Sequence, residues 1–130
     1  MYIIHDYFDS LQRGIWKNRK IGFLEHPVLC KAFDDHHGLF KGSVFFWDSS
    51  RLTIEEVIST AQGFPEVLRY SYTYTKGDQH IFRYDNAPHH PDLSTFPEHK
   101  HHGPSETAMP AEKPSLAKVF VEIETLLTAK

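Results

Sequence analysis

Proline is distributed very unevenly along this sequence of 130 residues. Six of the eight prolines lie in the stretch from Pro88 to Pro114. Because proline has no backbone N–H and a fixed φ angle, this density excludes a regular helix and discourages pairing with a neighbouring strand. We therefore expect residues 88–114 to fold back over the rest of the protein as a loop that is fixed at its start, and not as an added strand or a long helix.

Helices are expected on both sides of this segment. Residues 3–16 carry apolar side chains at helical spacing, which predicts an amphipathic helix. Ser115 can cap a second helix, in which apolar residues again recur every three or four positions. The apolar positions are Ile4, Phe8, Leu11 and Ile15 in the first helix and Leu116, Val119, Phe120, Ile123, Leu126 and Leu127 in the second.

Between the helices, apolar and polar residues alternate with the period of two that is typical of strands. The expected strands cover residues 39–47, 52–58, 68–74 and 79–84, with a further edge strand within residues 24–34. Lys76, Gly77 and Asp78 form a short link that predicts a hairpin between the last two of them. The sequence thus predicts an α+β fold in a single domain, residues 1–130: an antiparallel β-meander of four to five strands with an N-terminal and a C-terminal helix.

Composition and charge exclude several classes of protein. The net charge of −3 means that the chain lacks the positive field with which nucleic-acid binders attract phosphate from a distance. A local anion site is still open to it, because Arg83 and Lys100 flank the histidine-rich segment. The one cysteine, Cys30, rules out an intramolecular disulfide and a zinc site built from several thiolates. We expect a cytoplasmic protein, because we find neither a secretory leader nor the roughly 20 consecutive apolar residues that span a membrane.

The segment FRYDNAPHHPDLSTFPEHKHH, residues 82–102, holds five of the ten histidines. It begins at the end of the last predicted strand, where alternation places Arg83 and Asp85 on the same face of the sheet. Cations stand on both sides of the histidines, since Arg83 precedes them and Lys100 lies among the last of them. A sheet face that carries these groups is a plausible floor for a polar site, and we expect residues 85–114 to form a functional loop rich in histidine and proline.

Three interpretations of the histidines compete. As metal ligands, the imidazoles with Asp85 and Asp92 supply enough donors, although their spacing matches no helical zinc motif. As general acids and bases, two imidazoles can hold one proton between them near neutral pH, which suffices for attack by a ribose 2′-hydroxyl on its own phosphodiester. As structural residues, they would only bond backbone groups of the loop. Clusters of titratable groups mark functional sites more often than isolated ones do, so we favour a functional interpretation.

Other polar and aromatic residues have simpler interpretations. His5, His26, His36, His37 and His80 lie apart from the cluster, and we interpret them as structural. Tyr70, Tyr72 and Tyr74 alternate along one predicted strand. Such a row is more often half of a hydrophobic core than a platform on which bases stack.

Two motifs closely resemble the signature of the TumE-like toxin family. They are LRYSYTY, which starts at Leu68, and HIFRYDNAPHHPDLSTFPEHKHH, which starts at His80. The order of the flanking helices and strands also agrees with that family. One position departs from the family pattern, because Glu98 stands where the family often has histidine.

This resemblance implies a toxin of a prokaryotic toxin-antitoxin pair, which is normally encoded beside a helix-turn-helix antitoxin. It also marks the positions that match the family motif: Arg69, Tyr70, Tyr72, Arg83, Asp85, Asn86, His89, His90, His99, Lys100 and His101. A helix beside an antiparallel meander is further similar to the small-ribonuclease architecture of RelE-type toxins. That similarity is an analogy of fold and does not establish an activity.

Our leading hypothesis is a type II toxin that acts as a small, metal-independent ribonuclease without a cofactor. The residues assigned to acid and base catalysis are two of His89, His90, His99 and His101. Arg83 and Lys100 would hold the phosphate, and Asp85 would orient an imidazole. The residues assigned to substrate binding are Arg69, Tyr70, Tyr72 and Asn86.

Two alternatives use the same segment. One is a non-enzymatic interaction module whose histidine loop binds a partner protein, and the other is a metal-dependent hydrolase or nuclease. The expected partners are RNA and a helix-turn-helix antitoxin, and no membrane is involved. Whether the chain forms a homodimer is left open by the sequence.

Overall fold

A computed structural model describes residues 1–129 of the protein. It contains two helices and eight strands: α1 (Ile4–Trp16), β1 (Gly22–Leu24), β2 (Leu29–Ala32), β3 (His37–Phe46), β4 (Ser50–Ser59), β5 (Glu66–Lys76), β6 (Gln79–Asp85), β7 (His99–His102), β8 (Thr107–Pro110) and α2 (Leu116–Thr128). The α+β class is confirmed. The expected count of four to five strands is wrong, because three additional short strands extend the sheet at its two edges.

All eight strands belong to one antiparallel sheet. From β3 to β8 each strand pairs with the next one along the chain, and both β1 and β2 pair with β3. The predicted hairpin is present, since β5 and β6 pair on either side of Gly77, which has a φ of 59°. Within residues 1–129, neither helix is long and apolar enough to cross a membrane.

The expectation of a loop throughout residues 88–114 is wrong, because part of this segment forms the strands β7 and β8. Residues 98–103 contain no proline, and their backbone is free to pair with β6. Pro104 falls in the turn that follows, and Pro110 is the last residue of β8, the outermost strand. Proline is tolerated at such a position because an edge strand has backbone groups that need no partner within the sheet. The segment therefore forms a loop over residues 86–98 and then a short hairpin.

Both helices pack against the same face of the sheet and enclose the core. The core residues are Ile4, Phe8, Leu11, Ile15, Phe40, Val44, Phe46, Leu52, Ile54, Ile58, Tyr70, Tyr72, Tyr74, Phe82, Val119, Phe120, Ile123 and Leu127. The interpretation of the tyrosine row as core is confirmed by the burial of all three rings. As predicted, Ser115 caps α2, since its hydroxyl accepts a hydrogen bond from the backbone N–H of Lys118 at 3.2 Å.

One carboxyl group is buried within this core. Glu56, on β4, is only 2% exposed and accepts hydrogen bonds from the hydroxyl groups of Tyr7 and Tyr72. Burial raises the pKa of Glu56, and the two hydroxyl donors offset part of that effect. The pair of tyrosines thus joins α1 to β4 and β5 through a single acidic group.

The opposite face of the sheet is covered by neither helix, and we call it the open face. The register of β5, β6 and β7 sets Ser71, Asp85 and His99 side by side across the three strands. The next row consists of Thr73, Arg83 and His101. Residues that pair directly across antiparallel strands point to the same face, so these six polar side chains share the open face.

Candidate functional site

Strand β7 explains why two histidines reach the open face together. His99 lies opposite Asp85 of β6, and His101 lies opposite Arg83. Alternation along β7 then sends both imidazoles to the face that carries Asp85, and it sends Lys100 and His102 to the other face. The alternation of side chains along β7 therefore determines which of its residues belong to the site.

Asp85 lies at the centre of the site and is 7% exposed. One carboxylate oxygen, Oδ1, lies 2.9 Å from Nε2 of His99 and accepts a hydrogen bond from the backbone N–H of Ala87 at 3.0 Å. The other oxygen, Oδ2, accepts from Nε of Arg83 at 2.9 Å and lies 3.7 Å from Nε2 of His101. The carboxylate thus connects the strand end, the start of the loop and both imidazoles.

The outer nitrogens of both imidazoles face backbone carbonyl groups. Nδ1 of His99 lies 2.9 Å from the carbonyl oxygen of Pro97, and Nδ1 of His101 lies 3.0 Å from that of Glu106. A carbonyl oxygen only accepts hydrogen bonds, so these contacts suit an Nδ1 that carries a proton. Nε2 of His99 faces a second acceptor, Oδ1 of Asp85 at 2.9 Å, whereas Nε2 of His101 lies farther from that carboxylate, at 3.7 Å.

His90 completes the group from the loop. Its ring centroid lies 5.0 Å from that of His99 and 5.3 Å from that of His101, and the latter two are 4.8 Å apart. All three rings meet edge to face. One nitrogen from each ring lies within 4.8 Å of the others. We call His90, His99, His101 and Asp85 the histidine cluster.

The environment disfavours a positive charge on His101. Burial lowers its pKa, and the nearby Arg83 and His99 lower it further. The hydrogen bond with the Glu106 carbonyl group and the charge of Asp85 act in the opposite direction but do not outweigh these effects. His101 therefore favours its neutral form more than an exposed histidine does.

A groove of about 420 Å³ adjoins the cluster on the open face. It is lined by Leu39, Lys41, Glu55, Glu56, Val57, Arg69, Tyr70, Ser71, Arg83, Asp85, Asn86, Ala87 and His89. Lys41 pairs with Glu55 at 3.1 Å, and Arg83 pairs with both Asp85 and Glu106. Arg69 is exposed and forms no ion pair with any carboxylate of residues 1–129.

Several residues that the sequence suggested for the site lie elsewhere. Lys100 points to the helical face, where its Nζ lies 2.7 Å from a carboxylate oxygen of Glu122 on α2. Burial alone would lower the pKa of Lys100, but its hydrogen bonds with Glu122 and Tyr84 raise it overall. Tyr70 and Tyr72 have their rings in the core. These three side chains are therefore not brought to the histidine cluster.

Asn86 and His89 lie at the edge of the site. The Asn86 side chain accepts from the backbone N–H of Tyr70 at 3.1 Å and donates to the carbonyl group of Leu68 at 3.0 Å, so it extends the pairing of β5 and β6 beyond the last strand residue. His89 lines the groove and is exposed. Asn86 thus fixes the start of the loop, and His89 is accessible to a ligand.

Two contacts of the site were missed from the sequence. Glu106 accepts from Nη1 of Arg83 at 2.9 Å, and its backbone carbonyl group anchors His101. His80 bonds the carbonyl group of Gly103 at 2.9 Å, in agreement with the structural interpretation, and lies 3.9 Å from the Glu106 carboxylate. The only available signal was the Gly103-Pro104 pair, which marks a turn and hence a hairpin that returns Glu106 to this edge.

Residues 26–127 match the family model described as Toxin TumE. This range includes the histidine cluster and every residue that lines the groove. No curated protein and no solved structure matches the chain.

Proposed function

The chain belongs to the TumE toxin family and is accordingly a toxin of a toxin-antitoxin system, and from this premise we propose that it is a ribonuclease whose reaction centre is the histidine cluster. The observation that carries the proposal is the convergence of three imidazoles and Asp85 beside an open groove that contains arginine side chains. Histidine is the side chain best suited to proton transfer near neutral pH.

RNA is the substrate that suits this set of groups. Its phosphodiester carries its own nucleophile, the neighbouring 2′-hydroxyl, so the protein needs no nucleophilic side chain. In the proposed reaction, the 2′-oxygen forms a bond to phosphorus while the bond between phosphorus and the 5′-oxygen breaks. The 2′-hydroxyl proton passes to a base, and the departing 5′-oxygen receives a proton. The products are a 2′,3′-cyclic phosphate and a 5′-hydroxyl.

Cations of the groove would hold the RNA backbone. Arg69 is exposed and unpaired among residues 1–129, so its guanidinium group is available to a phosphate. Arg83 is held between Asp85 and Glu106, closer to the cluster. We propose that Arg69 binds a phosphate next to the cleaved one, and that Arg83 stabilises the charge that develops on the reacting phosphate.

Burial limits which imidazoles can touch the RNA. His99 is 2% exposed, and a side chain enclosed to that degree cannot contact a nucleotide without a rearrangement of β7. His90 is partly exposed on the loop, and His89 is exposed beside the groove. We therefore propose that His90 meets the RNA, while His99 and His101 act from beneath it. This scheme differs from the free pair of catalytic imidazoles that we expected from the sequence.

The family implies an antitoxin that neutralises the protein. We propose that this antitoxin carries a helix-turn-helix domain and that it blocks the groove on the open face. Coverage of the groove would prevent contact between RNA and Arg69 or His89, which both line it. A complex that leaves these two side chains exposed would contradict this mode of inhibition.

The test is cleavage of RNA by the purified full chain. We expect cleavage products with 2′,3′-cyclic phosphate ends, and we expect none when the nucleotide that supplies the 2′-hydroxyl is replaced by a 2′-deoxynucleotide. Arg69→Ala should weaken RNA binding about 10-fold to 150-fold, because a hydrogen bond to a charged group contributes about 1.5–3 kcal/mol. Arg51→Ala removes a cation from the same face at a site remote from the cluster, and it should leave cleavage unchanged.

Intact RNA after incubation with folded wild-type protein, with and without ribosomes and with added divalent metal ions, would reject the ribonuclease proposal. In that case a toxin that acts by binding a cellular protein would be favoured. Cleavage that proceeds on the 2′-deoxy substrate would instead reject the attack by the 2′-hydroxyl. Analysis of the product ends would support the second outcome, because cleavage without the 2′-hydroxyl cannot give a 2′,3′-cyclic phosphate.

A further inference from the structure

The arrangement of the histidine cluster suits a ligand smaller than RNA. We propose that His90, His99 and His101 bind one divalent transition-metal ion, for which Zn²⁺ is the best-suited candidate, and that Asp85 supplies an oxygen ligand or a hydrogen-bonded partner at the same point. This site goes beyond the proposed ribonuclease activity and does not depend on it. It rests on four observations, which concern distance, orientation, charge and access.

The first observation is the distance between donor atoms. One nitrogen from each of the three rings lies within 4.8 Å of the others. Nitrogen ligands of a tetrahedral zinc ion are about 3.4 Å apart, because each zinc-nitrogen bond measures about 2.0–2.1 Å. Each nitrogen would thus move inward by less than about 1 Å on binding. His90 lies on the loop and can supply most of this movement.

The second observation is the orientation of the two rings on β7. His99 and His101 both direct Nδ1 towards a backbone carbonyl group, at 2.9 and 3.0 Å. Histidines that bind metal nearly always donate a hydrogen bond from the nitrogen that does not bind it, and this bond fixes the tautomer and the ring plane. The two carbonyl groups therefore hold the Nε2 lone pairs on the side where the three rings converge.

The third observation is the negative charge of Asp85 beside the imidazole nitrogens. Nε2 of His99 lies 2.9 Å from Oδ1 of Asp85, and Nε2 of His101 lies 3.7 Å from Oδ2. A carboxylate at these distances offers an oxygen ligand next to the nitrogen donors, and its charge balances part of the charge of a divalent ion.

The fourth observation is access from one side. His99, His101 and Asp85 are buried, whereas His90 is partly exposed. Three protein nitrogens and a position open to solvent are typical of catalytic zinc sites, in which the last ligand is water. An ion held in this way would keep one position for water on the side of His90.

The donor set also discriminates among metal ions. Imidazole nitrogens suit Zn²⁺ and other late first-row ions, whereas Mg²⁺ and Ca²⁺ prefer sites built from oxygen ligands. A site with three nitrogens and one carboxylate is therefore a poor magnesium site. We expect the order of affinity to be Mg²⁺ far below Co²⁺, and Co²⁺ below Zn²⁺.

The test is metal binding by the untagged full chain after treatment with a chelator. Isothermal titration with ZnCl₂ should give one ion per chain, and Co²⁺ should produce the intense visible absorption of a tetrahedral nitrogen and oxygen site. His90→Gln and His101→Gln should each weaken zinc binding by about 100-fold or more, beyond the 10-fold to 100-fold loss typical of changes to outer partners of a metal site. His90 lies on a loop, so its substitution should leave the circular dichroism spectrum unchanged.

His89→Gln and His102→Gln are matched controls. Both histidines are exposed and adjacent in sequence to a proposed ligand, and both lie outside the cluster. Their variants should bind zinc as tightly as wild type. Absence of binding by folded wild-type protein would overturn the proposal, and so would equal binding by wild type and His90→Gln.

The metal-site proposal and the ribonuclease proposal can be rejected independently of each other. Zinc binding without any cleavage would reject the ribonuclease and keep the metal site. Cleavage that persists in chelator by protein free of metal would keep the ribonuclease and show that the ion has no part in it. Cleavage that disappears with the metal and returns with added Zn²⁺ would connect the two.

Discussion

Asp85 and His99 lie directly opposite each other on β6 and β7, with Oδ1 of the carboxylate 2.9 Å from Nε2 of the imidazole. Both side chains are almost completely buried. The contact joins β6, the last strand predicted from the sequence, to β7, which the proline content argued against. It is therefore both part of the candidate site and a link that holds β7 in register.

Substitution of Asp85 by Asn should abolish toxicity while the protein stays folded. Asparagine keeps an acceptor for the backbone of Ala87, but it lacks the charge that pairs with His99 and Arg83. The free energy of unfolding should fall by about 1–3 kcal/mol, which is typical for loss of a charged hydrogen-bond partner. Growth after induced expression and urea denaturation would measure the two effects. Asp78→Asn, in the exposed turn after β5, is the control, and equal toxicity of both variants would contradict a role for Asp85.

The alternation of side chains along β7 predicts opposite results for two adjacent histidines. His101 is buried on the open face, whereas His102 is exposed and points away from the cluster. His101→Ala should therefore abolish toxicity, and His102→Ala should retain it. Growth assays at matched expression levels would compare them. Loss of toxicity in both variants would indicate that the whole edge of the sheet is needed, rather than one of its faces.

Lys100 should contribute to stability and not to chemistry. Its ammonium group is bonded to Glu122 at 2.7 Å and lies over the rings of Phe82 and Tyr84, on the face opposite the cluster. Lys100→Met should lower the free energy of unfolding by about 1–3 kcal/mol, because Glu122 loses a charged partner. RNA cleavage at a temperature where the variant is folded should be unchanged.

A double-mutant cycle separates this pair from its surroundings. If Lys100 and Glu122 stabilise the protein through each other, the losses from Lys100→Met and Glu122→Gln should not add. Additive losses would show that the two side chains act independently. A folded Lys100→Met variant without cleavage activity would restore Lys100 as a catalytic candidate.

The buried Glu56 should make stability depend on pH. Because burial raises its pKa above the ordinary value of 4.5, the native state retains the proton after the unfolded chain has lost it. The stability that Glu56 contributes is therefore complete below pH 4.5 and declines as pH rises from 4.5 to its folded pKa. The difference in unfolding free energy between Glu56→Gln and wild type should increase over this interval. Urea denaturation at several pH values would measure it, with Glu55→Gln on the opposite face as a variant of equal charge change.

The sequence predicted the helices and the long strands well, because their patterns extend over many residues. Alternation through β3, β4 and β5 leaves little freedom in the assignment of faces, and the same is true of the helical spacing in α1. The strands β7 and β8 have four residues each, too few for alternation to be distinguished from chance. The proline content argued against these strands, because it was judged over the whole segment and not over the proline-free intervals within it.

The same limitation shaped the prediction of the site. Arg83 and Asp85 were placed correctly on one face, because β6 was recognised as a strand. Because β7 was not recognised as a strand, alternation could not place His99 and His101 on one face and Lys100 on the other. All three residues were therefore grouped as candidates. Contacts such as that of the Glu106 carbonyl group with His101 depend on the return of β8, for which the turn at Gly103-Pro104 was the one local signal.

Because β7 and β8 lie at one edge of the sheet, the site can be lost while the rest of the fold remains intact. Beyond β6, the sheet continues only through these two short strands, whereas the core residues of β3 to β5 lie at least two strands away from them. Edge elements of this kind open more readily than the interior does, so the hairpin can detach while the rest of the protein remains native. Slow hydrogen exchange in β4 together with faster exchange in β7 would reveal this partial opening. The opened form would be folded but would lack an assembled histidine cluster, and an ion held by both the loop and β7 would favour the closed form.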